Sequence, residues 1–171
     1  MARSHSDASL RLGDWDSSMN KGDFSFGPVI LHAAPGWERE ASATPPLTLV
    51  RSNGEGALQI STADFVKGKV PDPSATTLVE MSLQFGEKHN LGTPFSVAAE
   101  ETAENEPTRR IGAASFRSEG DFIRAWNVSN GRDFAFLTYV CKWGNEVKEL
   151  ADCERMVRSL EFLSDASQPS S

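Results

Sequence analysis

The chain has 171 residues, a formal charge of −7 and a pI near 5.0, with 39% hydrophobic and 24% charged residues. That is the size and composition expected of one soluble domain, able to bury a core without a disulfide or metal staple. The acidic balance argues against nucleic-acid binding, which needs a basic face to track phosphates. No apolar run approaches the ~18 residues that span a bilayer, so membrane insertion is not expected.

Residues 1–22 are polar and are expected to form a flexible arm, with Leu10, Leu12 and Trp15 able to dock locally. No stretch there matches the ~7–15-residue apolar core of a secretory signal. The expected compartment is therefore the cytoplasm, or the periplasm if a leader has been removed. Val29 to Ala33 predicts a short strand after Gly27-Pro28. Leu47 to Arg51 and Ala57 to Ser61 flank Ser52-Asn53-Gly54-Glu55-Gly56, a hairpin signal with a long turn. Asp72-Pro73-Ser74-Ala75 predicts a helix start, with Asp72 as cap and Pro73 in the first turn. The helix runs to about Lys88 with Leu78, Met81 and Phe85 at helical spacing, and Asn90 and Gly92 are available to end it.

Four strands follow as a meander. Phe95 to Thr102 and Arg110 to Arg117 are joined through Glu104-Asn105-Glu106-Pro107, and Ser118-Glu119-Gly120 leads to the next pair. Asp121 to Val128 and Asp133 to Cys141 flank Ser129-Asn130-Gly131-Arg132, and Asn-Gly is a strong hairpin signal because both residues tolerate positive φ. A two-residue turn would set Val128 opposite Asp133 and Trp126 opposite Ala135. One face then carries Phe122, Trp126, Leu137, Tyr139 and Cys141, and the other Ile123, Ala125, Phe134, Phe136 and Val140. With both faces apolar, these read as central strands covered on both sides. A second helix is expected from after Asn145 to about Ser159, with Val147, Leu150, Cys153 or Glu154, Val157 and Leu160 as its stripe. Its acidic first turn and basic end suit the helix dipole. Residues 164–171 lack core-forming side chains and are expected to be disordered. The expected fold is α+β: residues 23–163 form one α/β/α sandwich, its central, mostly antiparallel sheet of six to seven strands covered by helices on both faces.

Three passages carry a resemblance. Pro28-Val29-Ile30-Leu31-His32-Ala33-Ala34-Pro35-Gly36-Trp37 matches an opening of strand, proline, small residue and tryptophan. Ala57-Leu58-Gln59-Ile60-Ser61, then a loop and the Ser74–Lys88 helix, matches a middle unit. Phe136-Leu137-Thr138-Tyr139-Val140-Cys141 and the helix ending Met156-Val157-Arg158-Ser159-Leu160-Glu161-Phe162 match a closing unit. Across about residues 24–163 this order resembles the PsbP-like superfamily, which includes DcrB-type bacterial proteins and the yeast Ran-binding nuclear import factor. Its motifs are structural and specify fold better than function; the resemblance implies a non-catalytic binding or assembly role, that of most characterised members of the superfamily.

Candidate chemistry is sparse. His5, His32 and His89 lie far apart and on unlike elements, so no metal site is expected. Cys141 in a central strand and Cys153 on a helix stripe read as inert thiols, with their pairing left open. There is no nucleophile elbow and no phosphate loop, so no catalytic or cofactor-binding residue is expected. Arg109, Arg110, Arg117, Arg124 and Arg132 fall close together in an acidic chain. They read either as ion-pair partners of Glu100, Glu101, Asp121 and Asp133 or as a basic stripe for an acidic protein surface. Trp37 and Trp143 lie at element ends, where an indole can stay partly exposed. The protein-binding set expected on this basis is Trp37, Arg110, Arg117, Arg124 and Trp143. The leading expectation is a cofactor-free adaptor for another protein, with an immunity protein or a secretion-effector chaperone as candidates. The alternatives are a small-ligand or lipid-binding domain with a cleft beside the sheet, and an unrecognised hydrolase.

Overall fold

The computed structural model describes residues 22–41 and 46–167. Among these residues, ten strands and two α-helices are laid down in the order β1 (Asp23–Phe26), β2 (Val29–His32), β3 (Trp37–Arg39), β4 (Leu47–Arg51), β5 (Gly56–Ala63), α1 (Ala75–Lys88), β6 (Ser96–Glu101), β7 (Arg110–Ser118), β8 (Asp121–Ser129), β9 (Phe134–Lys142), α2 (Leu150–Arg158) and β10 (Glu161–Phe162). Seven strands form one antiparallel sheet in the order β3-β4-β5-β9-β8-β7-β6, and β1-β2-β10 form a separate three-stranded sheet. The α+β class and the antiparallel meander therefore hold. The short strands β1, β3 and β10 carry too few residues for a periodic signal, and the second sheet was not legible. The expected arm falls almost entirely outside the described residues, as does the end of the tail. Residues 163–167 form a helical turn, where Asn130 Nδ2 donates to Ser164 Oγ at 2.8 Å and Asp165 Oδ1 at 2.9 Å.

The β8–β9 register differs from the two-residue turn. Ser129 faces Phe134, Val128 faces Ala135 and Trp126 faces Leu137. Asn130 to Asp133 form the loop, because Asn130 Oδ1 accepts the backbone N–H groups of both Arg132 and Asp133 at 3.0 and 2.9 Å. The shift of two residues leaves every side chain on its expected face, whereas a shift of one would have exchanged them.

The face carrying Trp126, Leu137 and Tyr139 is buried against α2 and the small sheet. Its core joins Leu58, Ile60, Trp126, Leu137 and Tyr139 to Val29, Leu31, Cys153, Met156, Val157 and Phe162. Glu149 fixes the start of this cover. Its buried Oε1 accepts from the backbone N–H of Glu55 and Gly56 and from the Tyr139 hydroxyl, all at 2.9–3.0 Å. The expected second helix is thereby divided: Asn145–Lys148 make a 3-10 turn and α2 begins only at Leu150. Val147, expected in the stripe, is 79% exposed.

The opposite face carries α1, and here two expectations change. The helix is capped by Ser74, whose Oγ accepts from Thr77 N at 3.1 Å, rather than by Asp72. Asp72 is drawn away to Arg110, 2.6 Å from Nη1. The buried stripe is Leu78, Ser82 and Gly86, not Leu78, Met81 and Phe85. Two glycines set this rotation. A Cβ on Gly112 of β7 would overlap the α1 backbone at Leu78 and Val79, and a Cβ on Gly86 would overlap the Phe116 ring. Ser82 Oγ, between them, donates to Gly112 O at 3.0 Å and accepts from Asn127 Nδ2 at 2.9 Å. The helix is thus drawn down onto β6, β7 and β8.

Gly112→Ala is expected to lower unfolding free energy by about 1–3 kcal/mol, the range for overpacking a tight contact. Urea denaturation checks this, and an unchanged midpoint would contradict it. The small sheet has its own pH signature. His32 Nδ1 lies 2.7 Å from Asp23 and Nε2 lies 3.2 Å from Glu161, so one imidazole clips all three strands. The hydrogen bond to Asp23 raises its pKa above the ordinary 6.5, with Glu161 assisting against burial. The raised value means that the clip stabilises the fold fully below pH 6.5 and loses its effect as pH rises through the folded-state value. The melting-temperature gap between wild type and His32→Gln should therefore be widest near pH 6 and shrink towards pH 8. A gap that widens with pH would contradict this.

Candidate functional site

Cover of the sheet is unequal. A helix about 10 Å across shields roughly two strands spaced ~4.8 Å apart, and α1 is committed to the β6–β8 half. The same face of β5 and β9 is left largely without a roof. Along β5 the exposed Gln59 and Ser61 alternate with the buried Leu58 and Ile60, as in a strand packed on one side only. Along β9, Phe134, Phe136 and Thr138 are half-buried and Val140 is 39% exposed, while Ala135, Leu137 and Tyr139 on the other face are fully buried.

The uncovered strands and the flank of α1 form a groove. One hollow of about 380 Å³ has Phe85, His89, Leu91, Ile123, Phe136, Thr138 and Val140 among its walls. A second, of about 360 Å³, has Met81, Asn127 and Phe134 among its walls and shares Ser61 and Phe136 with the first. Met81, Phe85 and His89 recur every four residues, so one stripe of α1 faces the groove along about 12 Å of helix. Phe85 links the helix to the floor, with ring centroids 4.5 Å from His89 and 5.1 Å from Phe136. The lining is mainly apolar, with a few hydroxyl and amide groups that could orient a ligand.

The five residues expected to bind a protein are not gathered on one surface. Trp37 is buried and donates from Nε1 to Asp152 at 3.1 Å. Arg124 is also buried, with Nε 2.6 Å from Glu154 and Nη1 2.7 Å from Ser115 Oγ. Arg110 lies on the α1 face, where it clamps the turn before α1 by pairing with Asp72 and Glu101. The separation follows from strand geometry, because Arg110 and Arg117 are seven residues apart on β7 and an odd spacing sends them to opposite faces. Arg117 and Trp143 do meet. The guanidinium stands 4.3 Å from the indole centroid, and both residues are exposed. Phe95, 53% exposed, completes this patch with its ring 5.4 Å from Trp143 and 6.0 Å from Phe122. The N–H of Phe95 bonds Ser115 O although the register pairs Ser115 with Ser96, a bulge that re-aims the ring towards Trp143. A ladder defect of this kind has no signature in hydrophobic alternation, so Phe95 was missed.

The thiols lie elsewhere. Cys141 and Cys153 are free and buried, and burial pushes both thiols upward from their ordinary pKa, which disfavours thiolate. Among the described residues no group of three or more His, Cys, Asp or Glu is placed to hold a metal ion, and no helix is long and apolar enough to cross a membrane.

No family model matches this sequence, and no curated protein matches it. Solved structures do. The PsbP protein of Synechocystis sp. PCC 6803 superposes with a TM-score of 0.56 at 9% identity, over 85% of this chain and 95% of that one. A protein from Bacteroides thetaiotaomicron VPI-5482 superposes with a TM-score of 0.53 at 13% identity, over 84% of this chain. This chain spans 49% of that protein's length. The fold is PsbP-like.

Proposed function

We propose that this chain of PsbP-like fold is a non-catalytic adaptor that holds an apolar segment of another protein in the groove between α1 and strands β5 and β9. The supporting observation is the unroofed half of the large sheet. Its two neighbouring hollows, which share Ser61 and Phe136, bring exposed Val140 together with half-buried Phe136, Met81 and Phe85 in an acidic molecule. Burying such side chains contributes roughly 25 cal/mol per Å² of apolar area removed from water, which favours an elongated apolar guest lying along α1. An immunity protein and a secretion-effector chaperone are the adaptor roles that fit a small acidic protein with such a groove. The hollow also favours a second reading, a small apolar ligand or lipid, because each half already falls within the ~300–1,000 Å³ range of ligand sites.

The test is affinity capture from the native host with wild type and Val140→Glu, followed by protein identification and native mass spectrometry of the eluate. The adaptor reading expects one protein partner whose recovery falls at least about tenfold in the variant. Equal recovery by both forms would overturn it. A co-purifying lipid or metabolite that Val140→Glu abolishes, with no protein partner, would install the second reading instead.

A further inference from the structure

The large sheet ends at β6, and among the described residues only β7 pairs with that strand. Thr102 N–H donates to Arg109 O at 2.9 Å in step with the β6–β7 register, which fixes the alternation of the ladder. Ser96, Ala98 and Glu100 direct their backbone groups to β7, and Val97, Ala99 and Glu101 turn theirs outward. Edge strands are ordinarily protected by proline, lysine, inward charge or a covering element. Ser96-Val97-Ala98-Ala99-Glu100-Glu101 has neither proline nor lysine, and its two acids are already engaged. Glu100 pairs with Arg158 at 2.6 Å, and Glu101 pairs with Arg110 at 2.9 Å. Val97 is 55% exposed.

The edge is also polar from end to end. Phe95, Trp143 and the guanidinium of Arg117 stand at its start, and Arg117 makes no ion pair with any described residue. Glu104 and Glu106 follow its far end, and both are exposed. A strand with a cationic, aromatic start and an anionic finish is complementary to itself when run antiparallel. Turning one copy about a two-fold axis near Ala99 brings the Arg117 end of each against the Glu104 end of the other.

We propose that a second copy of this chain pairs with β6 antiparallel through the outward backbone groups of Val97, Ala99 and Glu101, joining two seven-stranded sheets into one. The contact is isologous, as a closed two-fold dimer requires. Its backbone bonds supply the alignment, and the flanking charges forbid the parallel arrangement, in which like ends would meet. The interface is distinct from the α1 groove, so it does not depend on what that groove holds. It gives Arg117 and Trp143 a protein-binding role towards another copy of the same molecule.

Sedimentation velocity on the full chain tests this over a concentration series. Wild type is expected to approach twice the 18.6 kDa monomer mass as concentration rises. Ala99→Pro removes one outward N–H at an edge position that tolerates proline, and it should hold the chain as monomer with unchanged circular dichroism. Arg117→Glu should weaken the dimer at least tenfold, and Arg117→Glu with Glu104→Arg should restore it. This charge exchange keeps the test decisive if Ala99→Pro disturbs β6, because neither residue belongs to the β6–β7 ladder. A wild type that remains monomeric to high micromolar concentration would overturn the proposal. So would a dimer untouched by both Ala99→Pro and Arg117→Glu.

Discussion

The close approach of α1 to β7 governs the architecture. Gly112 and Gly86 remove the side chains that would hold helix and sheet apart, and Ser82 fastens the contact through Gly112 O and Asn127. Once the helix lies against β6–β8 it cannot also cover β5 and β9, because a seven-stranded sheet is far wider than one helix. The same contact decides which α1 residues are buried. Leu78, Ser82 and Gly86 face the sheet, and Met81 and Phe85 are turned sideways into the groove. The hollow is thus a consequence of where small residues fall, not of a cavity left in the core.

The other face is governed by a different economy. Glu149 is a buried carboxylate that gathers the backbone N–H groups of Glu55 and Gly56, at the start of β5, and the Tyr139 hydroxyl on one oxygen. Burial and the neighbouring Cys141 and Glu149 raise the Tyr139 pKa, so the phenol stays a donor. A buried charge without such partners would cost several kcal/mol, whereas three converging donors make it a fixed point for α2. With α2 and the three-stranded sheet set firmly on this side, the large sheet has one sealed face and one half-open face. The arginines divide by the partners they meet rather than by the face they lie on. Arg124 and Arg110 are consumed in holding α2 and the α1 turn, and Arg117 remains at the surface.

The four-stranded meander β6–β9 and the β4–β5 hairpin could be read from the chain because these strands alternate regularly and are punctuated by Asn-Gly and Gly turns. The facing of β8 and β9 survived a wrong turn length because the error was two residues, an even number. Legibility ended where packing overrode pattern. The 81/85 stripe of α1 has the right spacing for a core, but only the tertiary contact at Gly112 shows that the helix is turned away from it. The partial cover of the sheet did leave a trace, since Gln59, Ser61 and Thr138 interrupt the apolar face of β5 and β9. The apolar Phe134, Phe136 and Val140 on the same face of β9 mask that trace. Of the candidate site, Arg117 and Trp143 were visible as residue types at element ends. Their meeting with Phe95 depends on a bulge and on strand order, which no local window contains.

The central claim is that α1 seals β8 and leaves β9 open on the same face. Thiol labelling of single-cysteine reporters, with Cys141 and Cys153 buried in the background, measures this directly. Val140→Cys and Thr138→Cys should react with a small maleimide in the folded protein at rates approaching those of the unfolded chain. Ala125→Cys, beneath α1, should be protected until unfolding. Equal protection at all three positions would mean that the face is closed, and the groove with it.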